Sequence, residues 1–305
     1  MNIGIKPKLD ICIPTFQRPH ECVRQVVFLY EEIKCLLSND DCAFEINLYI
    51  RDNHSDNKNY LYIVHEVEKI KQGFDSFLIS INRNNANLGL VGNIQKMLQE
   101  DSLGDYVWFV GDDDILHQGV LNNIINGLSG EKKDLIFMNY NCIHKDFGLV
   151  KAKAFSEKEN FNIIELFNKN DAIMMFITSC VYSREMLLSA FSFHEKNHGP
   201  VEITFPLYSA FYCSFNGIVK IIPEIFISDV VSGISWESVY NRVRLILVPR
   251  EILKLKVIGY STCKTYLCVI NYYLKNYRYI IGVFLRLFVP SKIVNKISRY
   301  LKAAP

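Results

Sequence analysis

The sequence predicts an α/β fold built on a mostly parallel sheet, and three observations carry that expectation. Short apolar runs alternate with helical patterns through the first 140 residues. Each run is followed at once by a polar cluster: PTFQR, DNHSDN, NRNNANLG and then GDDD. Half of the 305 residues are apolar and 22% are charged, which is enough to bury a sizeable core and excludes a disordered chain.

Taken in order, strands are predicted over 9–14, 46–51, 77–82, 106–110 and 134–140, with helices near 20–37, 58–71, 90–101 and 117–128. In a doubly wound sheet of this kind ligands sit outside the carboxyl ends of the strands. Any one polar cluster reads equally well as a plain turn, because Asn, Asp, Gly and Pro are the ordinary turn residues. Four of them after four successive strands converge on one sheet edge and form a single site. Nine cysteines, an odd number without a CxxC pair, exclude a disulfide scaffold and a zinc finger and favour a reducing, cytoplasmic setting. The opening residues MNIGIKPKLDICIP lack the pattern of a secretory signal.

The cluster Gly111-Asp112-Asp113-Asp114 follows the apolar run Tyr106 to Val110. Three adjacent carboxylates at the end of a buried strand repel one another unless a cation or several N–H donors offset the charge. A hard divalent ion, Mn²⁺ or Mg²⁺, suits such oxygen ligands, using one or two carboxylates plus substrate phosphates. Capping of a following helix is the alternative, although a cap needs one Asp and not three.

As a set, LDICIPTFQRP, IRDNHSDN, NRNNANLGLVGN and YVWFVGDDDIL resemble the nucleotide-sugar-binding half of inverting glycosyltransferases of family 2, which have the GT-A fold. The resemblance covers roughly residues 9 to 116, and GDDDIL is similar to the abequosyltransferase-like group that builds O-antigen and capsule chains. It implies a metal-dependent transferase moving a hexose or deoxyhexose from a nucleoside diphosphate to a hydroxyl. Pro14, Thr15 and Arg18 then match the loop around the nucleotide, where a guanidinium suits the diphosphate. Asp52 matches the acid that reads the base, beside Asn53 and Ser55. Asn87, Gly89 and Asn93 match the segment over the donor. Asp112 and Asp114 match the metal-binding ends of a D-x-D motif, with Asp112 also near the ribose and Asp113 facing the donor sugar.

Such a transfer needs a group to take the acceptor proton. Glu202 and then Glu195, in the stretch His194 to Glu202, are the candidate bases, with surface charge as the alternative for each. In the resembled group a His follows a Tyr/Phe-Pro pair, whereas Leu207 follows Phe205-Pro206 here. His198 is the nearby candidate for the missing metal ligand. Phe176 to Cys180 reads as a buried strand leading into a helix, and its Thr178 and Ser179 are either satisfied hydroxyls or acceptor contacts. Cys180 reads as a buried small residue, and Trp236 as packing or a sugar platform.

The C-terminal stretch 242–305 holds 13 Lys and Arg against the single acid Glu251, a net of +12, while the remainder carries −10. A catalytic domain over 1–241, with a donor half to about 116 and an acceptor half beyond, thus precedes a basic, apolar helical region. If 264–288 forms one helix, Asn271, Lys275, Arg278, Gly282 and Arg286 share one face, and a second, shorter helix follows Pro290 and Ser291. No uncharged run is long enough to span a bilayer. Peripheral attachment to the anionic inner leaflet is expected, close to a lipid-linked glycan acceptor. The alternative is packing on the body or on a second copy as a homodimer. A nucleotidyltransferase and a non-catalytic membrane-bound assembly subunit are the rival functions, and no nucleic-acid-binding motif is present.

Overall fold

The structure is a computed structural model that describes residues 6–38, 42–73, 76–144, 148–156, 163–170, 173–231 and 237–288. The first half comprises strands β1 (Lys8–Thr15), β2 (Glu45–Asp52), β3 (Ile79–Arg83) and β4 (Tyr106–Phe109). Helices α1 (Pro19–Leu37), α2 (Asn57–Lys71) and α3 (Gly89–Glu100) connect them. Next come β5 (Ile115–Leu116), α4 (Val120–Leu128), β6 (Leu135–His144), β7 (Gly148–Lys151), α5 (Ile163–Asn170), β8 (Cys180–Ser183), α6 (Arg184–His198), α7 (Phe205–Asn216) and β9 (Val219–Val231). The described chain closes with α8 (Glu237–Arg242), α9 (Val248–Ile258), α10 (Thr262–Lys275) and α11 (Tyr277–Phe288).

The local reasons are ordinary ones. β1 buries Leu9, Ile11, Cys12 and Ile13 without alternation, as a parallel strand covered on both faces does. α1 opens on Pro19 and buries Cys22, Gln25, Val26, Leu29, Tyr30 and Ile33 at helical spacing. Asp56 caps α2 by accepting from the Asn59 N–H at 2.8 Å.

The strands form one sheet in the order β3-β2-β1-β4-β8-β6-β9-β5, with β7 added on β6. β1 pairs in parallel with β2 and β4, and β2 with β3. β8 runs antiparallel to both β4 and β6, and β9 is parallel to β6. The carboxyl ends of β1–β4, β6 and β9 therefore share one edge. The chain winds outward from β1 to β3 and then returns to place β4 on the other side of β1. That reversal opens a crevice between the β1 and β4 ends, the place where α/β sheets take ligands.

Two sequence expectations need correction. Residues 176–179 are not strand: a 3₁₀ turn covers Ile177–Ser179 and β8 begins at Cys180. The Thr178 carbonyl accepts from Trp108 Nε1 at 2.8 Å and its hydroxyl from the Gly111 N–H at 2.9 Å, which draws this stretch out of the ladder. The expected helix 264–288 is two helices broken at Asn276. The Asn276 side chain donates to the Tyr272 carbonyl and accepts from Arg244 at 2.9 Å, local bonding that competes with helix continuation.

The basic region packs on the body. α9 buries Val248, Glu251, Ile252 and Leu255, and α10 buries Thr265, Cys268 and Tyr272, the last stacked on Phe167 of α5. The other side of α10 and the start of α11 leave Leu267, Ile270, Leu274, Tyr277 and Ile281 about half exposed. Among the described residues no helix is long and apolar enough to cross a membrane. Trp236 and the shorter helix expected after Pro290 lie outside the described residues, as does the Arg286 side chain.

Candidate functional site

The crevice between β1 and β4 is closed by side chains the sequence singled out. Thr15, at the end of β1, donates its hydroxyl to Asp112 Oδ2 at 2.8 Å. Arg18 Nη1 reaches Asp112 Oδ1 at 2.9 Å and Asp113 Oδ2 at 2.7 Å. From α1, Arg24 Nη2 donates to the carbonyls of Asp112 and Asp114 at 3.3 and 3.0 Å, and Gln25 donates to that of Gly111 at 3.3 Å. The acidic turn is thus gripped through its backbone while its carboxylates stay in the crevice. Gly111 is required here, because a Cβ would collide with the Asp114 carboxylate. Pro14 sits one residue before Thr15 at the end of the strand.

The electrostatics of the turn are those of a site short of positive charge. Burial pushes the Asp112 carboxyl up to about 6; the Arg18 charge and the Thr15 hydroxyl oppose this, and Asp113 adds to it. Asp114, also buried, is raised well above the usual carboxylate range by burial and by the charges of Asp113, Asp229 and Asp112. Only the Thr178 hydroxyl, 2.5 Å from Asp114 Oδ2, works against that rise. Thr178 and Ser179 are fully buried, Ser179 bonding the Phe176 carbonyl, so both are satisfied hydroxyls, and Thr178 positions Asp114.

The second-strand cluster lies beside the first. Gln17 donates its backbone N–H to Ser55 Oγ at 2.7 Å, and both Gln17 and His54 hold positive φ, of 56° and 67°. Such backbone is costly for non-glycine residues and concentrates at functional sites. Asp52 is fully buried; its Oδ2 accepts from the Ser55 N–H at 3.0 Å and lies 3.2 Å from Arg83 Nε. Its Oδ1 is buried without a partner among the described residues. A buried acceptor left open at a ligand edge is a place for a ligand donor.

The asparagines are largely occupied with one another. Asn53 accepts from the Leu88 N–H and from Asn84, and donates to Asn87 Oδ1 and the Gly89 carbonyl. Asn93 bonds Asn84 and the Arg51 carbonyl, 2% exposed. They fasten the third-strand loop to the second, with Gly89 at φ +68° opening α3. Asn87 is exposed at the rim.

The second-half candidates are placed elsewhere. Glu202 pairs with Arg250 of α9, and Glu195 accepts from Gln95 at 3.1 Å. His198 does not join Asp112 and Asp114. Its ring packs against His194 and Tyr208, with centroids 5.4 and 6.1 Å away, and burial together with the His194 and Lys254 charges lowers its pKa. Among the described residues no group of three His, Cys, Asp or Glu is arranged to hold a metal by itself. Arg24, the positioning role of Thr178, and Asp229 near the aspartates were missed. A lone carboxylate inside the apolar run Ile225 to Val231 was the available signal for Asp229.

A family model described as "Glycosyl transferase family 2" matches residues 10–191, which takes in the β1/β4 crevice and its acidic turn but not β9. The chain belongs to glycosyl transferase family 2. The sheet is that of the GT-A fold, with the acidic turn of this transferase after β4. Solved structures agree on the fold. S. aureus TarS residues 1–349 is similar at a TM-score of 0.62 and 13% identity, over 93% of this chain and 76% of that one. The same protein in complex with UDP-GlcNAc gives 0.61 and 14%, over 93% and 77%. The mannosyltransferase PcManGT from Pyrobaculum calidifontis, in complex with GDP-Man and Mn²⁺, gives 0.57 and 10%, over 98% and 81%. No curated protein sequence matches the chain.

Proposed function

We propose that this transferase moves a sugar, with inversion, from a nucleoside diphosphate to a hydroxyl of a lipid-linked bacterial surface glycan of the O-antigen or capsule type, with a divalent metal. The observation that carries this reading is the joining of Thr15, Arg18 and Asp112–Asp114 across the β1/β4 crevice, beside a buried Asp52 oxygen with no protein partner. The similar structures were solved with UDP, UDP-GlcNAc, or GDP-Man and Mn²⁺, ligands of the same class.

The chain's own residues divide the work. Asp52 offers its open oxygen to a base or ribose N–H or O–H. Arg18, about one-third exposed, is within reach of a diphosphate as well as of the aspartates. The residues also fit a divalent cation. The donors are hard carboxylate oxygens, the Asp114 carboxylate has no ion-pair partner among the described residues, and the donor's phosphates would supply the ligands that the protein lacks. When bound, such an ion, held by Asp114 and Asp112, neutralises charge on the departing diphosphate.

The half-exposed apolar residues of α10 and α11, with Lys264, Lys275 and Arg278 exposed among them, support peripheral attachment to an anionic leaflet. The donor reading is tested by melting shifts with UDP, GDP, CDP and dTDP, each with Mn²⁺, Mg²⁺ or EDTA. One nucleotide is expected to stabilise the protein in a metal-dependent way, by about 2.7 kcal/mol at a hundredfold excess over Kd. A shift with none of them, with or without metal, overturns it. Co-sedimentation with phosphatidylglycerol vesicles, absent with phosphatidylcholine, is expected for the leaflet. A concentration-dependent dimer that ignores both vesicles assigns the face to a second copy instead.

A further inference from the structure

Transfer to a hydroxyl with inversion, the reading on which this inference rests, needs a group that takes the hydroxyl proton as the new bond forms. Glu202 and Glu195 are engaged by Arg250 and Gln95. Another carboxylate stands at the site. Asp229 lies near the carboxyl end of β9, on the same sheet edge as the acidic turn. Ile115 pairs with Ser228 and Leu116 with Ile227 in antiparallel register, so the next step outward sets Asp229 across from Asp114. Strand alternation separates the two neighbours: Ser228 bonds His117 Nε2 at 2.8 Å, and Asp229 takes the opposite face. On the β6 side its register partner is Cys142, whose thiol lies 3.8 Å from Asp229 Oδ2.

A thiol is a weak donor, and no ion pair engages Asp229 among the described residues. Unlike Asp112, this carboxylate has no guanidinium on it and no hydroxyl at hydrogen-bonding distance among the described residues. Burial pushes its carboxyl up to about 6, the Cys142 thiol opposing this and the Asp113 charge adding to it.

We infer that Asp229 is the catalytic residue that receives the acceptor hydroxyl's proton. As that proton passes to an Asp229 oxygen, the hydroxyl oxygen's electron pair forms the bond to the anomeric carbon. The bond from that carbon to the phosphate oxygen breaks, and its pair leaves on the nucleoside diphosphate. The base thus comes from the strand that faces the acidic turn, and not from the loop between α6 and α7.

The test compares wild type, Asp229→Ala, Asp229→Asn and Asp114→Asn. UDP-GlcNAc, GDP-mannose, CDP-glucose and dTDP-glucose serve as donors with Mn²⁺. Release of the nucleoside diphosphate is measured beside nucleotide binding, and circular dichroism checks the fold. Both Asp229 variants are expected to bind nucleotide within about twofold of wild type while release falls about 100-fold or more. Azide attacks without giving up a proton, so it is expected to raise release by Asp229→Ala about tenfold and to leave Asp114→Asn unchanged. Release near the wild-type rate in the Asp229 variants, joint loss of binding and release, or no response to azide each overturns the assignment. If wild type itself neither binds nor cleaves any of the four, the donor reading has failed and the base assignment falls with it. If wild type does both and the Asp229 variants match it, only the base assignment has failed.

Discussion

In the loops after β1 to β4, polar side chains converge on a crevice and leave capacity unused: Asp114 with a single hydroxyl partner, Asp52 with one bare oxygen. Across the molecule, between α6, α7 and α9, an equally buried polar group is closed on itself. Glu251 there accepts from Thr204 Oγ1 at 2.9 Å and Lys254 Nζ at 3.0 Å and lies 3.1 Å from His194 Nε2, all within the protein interior. Burial would raise the Glu251 carboxyl, yet its pKa is lowered because His194 and Lys254 more than offset that effect. The two regions show that burial alone does not mark a site. A buried carboxylate whose partners are all supplied ties elements together, and one whose partners are missing waits for a ligand.

That contrast can be broken most severely at Asp114. Asp114→Ala is expected to cost about 1000-fold in turnover and to abolish the metal-dependent part of the nucleotide melting shift, while the fold survives. A retained metal response separates the acidic turn from metal binding. Next in size, Asp52→Ala is expected to weaken nucleotide binding by about 2 kcal/mol, roughly thirtyfold, in a titration of the matching diphosphate. Unchanged affinity would show that the open oxygen meets water instead.

A pH series then tests the electrostatics. The Asp112 carboxyl is pushed up to about 6 in the fold, above its value of about 4 in an unfolded chain. The folded state holds more protons between those values, so this group makes the ligand-free protein lose stability as pH rises through that window. The melting temperature of Asp112→Asn relative to wild type is therefore expected to climb between pH 4 and pH 7. A flat difference removes the strain ascribed to the turn. Smallest of all, Glu202→Gln is expected to change turnover less than about threefold and stability by less than about 1 kcal/mol, since its Arg250 pair is partly exposed. A large loss of turnover would return the base to that loop.

The first half was legible because its chemistry is local. Each strand is centred on apolar residues, and the polar residues that meet at the edge come within a few positions of its end, as Thr15, Asp52 and Asp112 do. The asparagines follow the second and third strands, where Asn53 and Asn93 are spent on fastening loops, a matter of pair geometry that a list of amide residues does not contain. The second half depends on long-range register. Asp229 comes to lie across from Asp114 through the pairing of β9 with β5, more than a hundred residues apart in sequence, and with β6. The break at Asn276 likewise depends on Arg244, a partner from another element. Neither periodicity nor spacing reports such partners.

Arg18 has a kinetic consequence. It is tethered to the acidic turn and already rests on Asp112 and Asp113, so it serves as an internal counter-ion. Under the proposed function, a bare divalent ion would have to compete with a guanidinium that never diffuses away. A nucleotide arriving with its metal would offer Arg18 a phosphate in exchange for the carboxylates it gives up. On that reading one side chain sets the order of addition: metal alone is expected to bind weakly, and metal and donor to enter together.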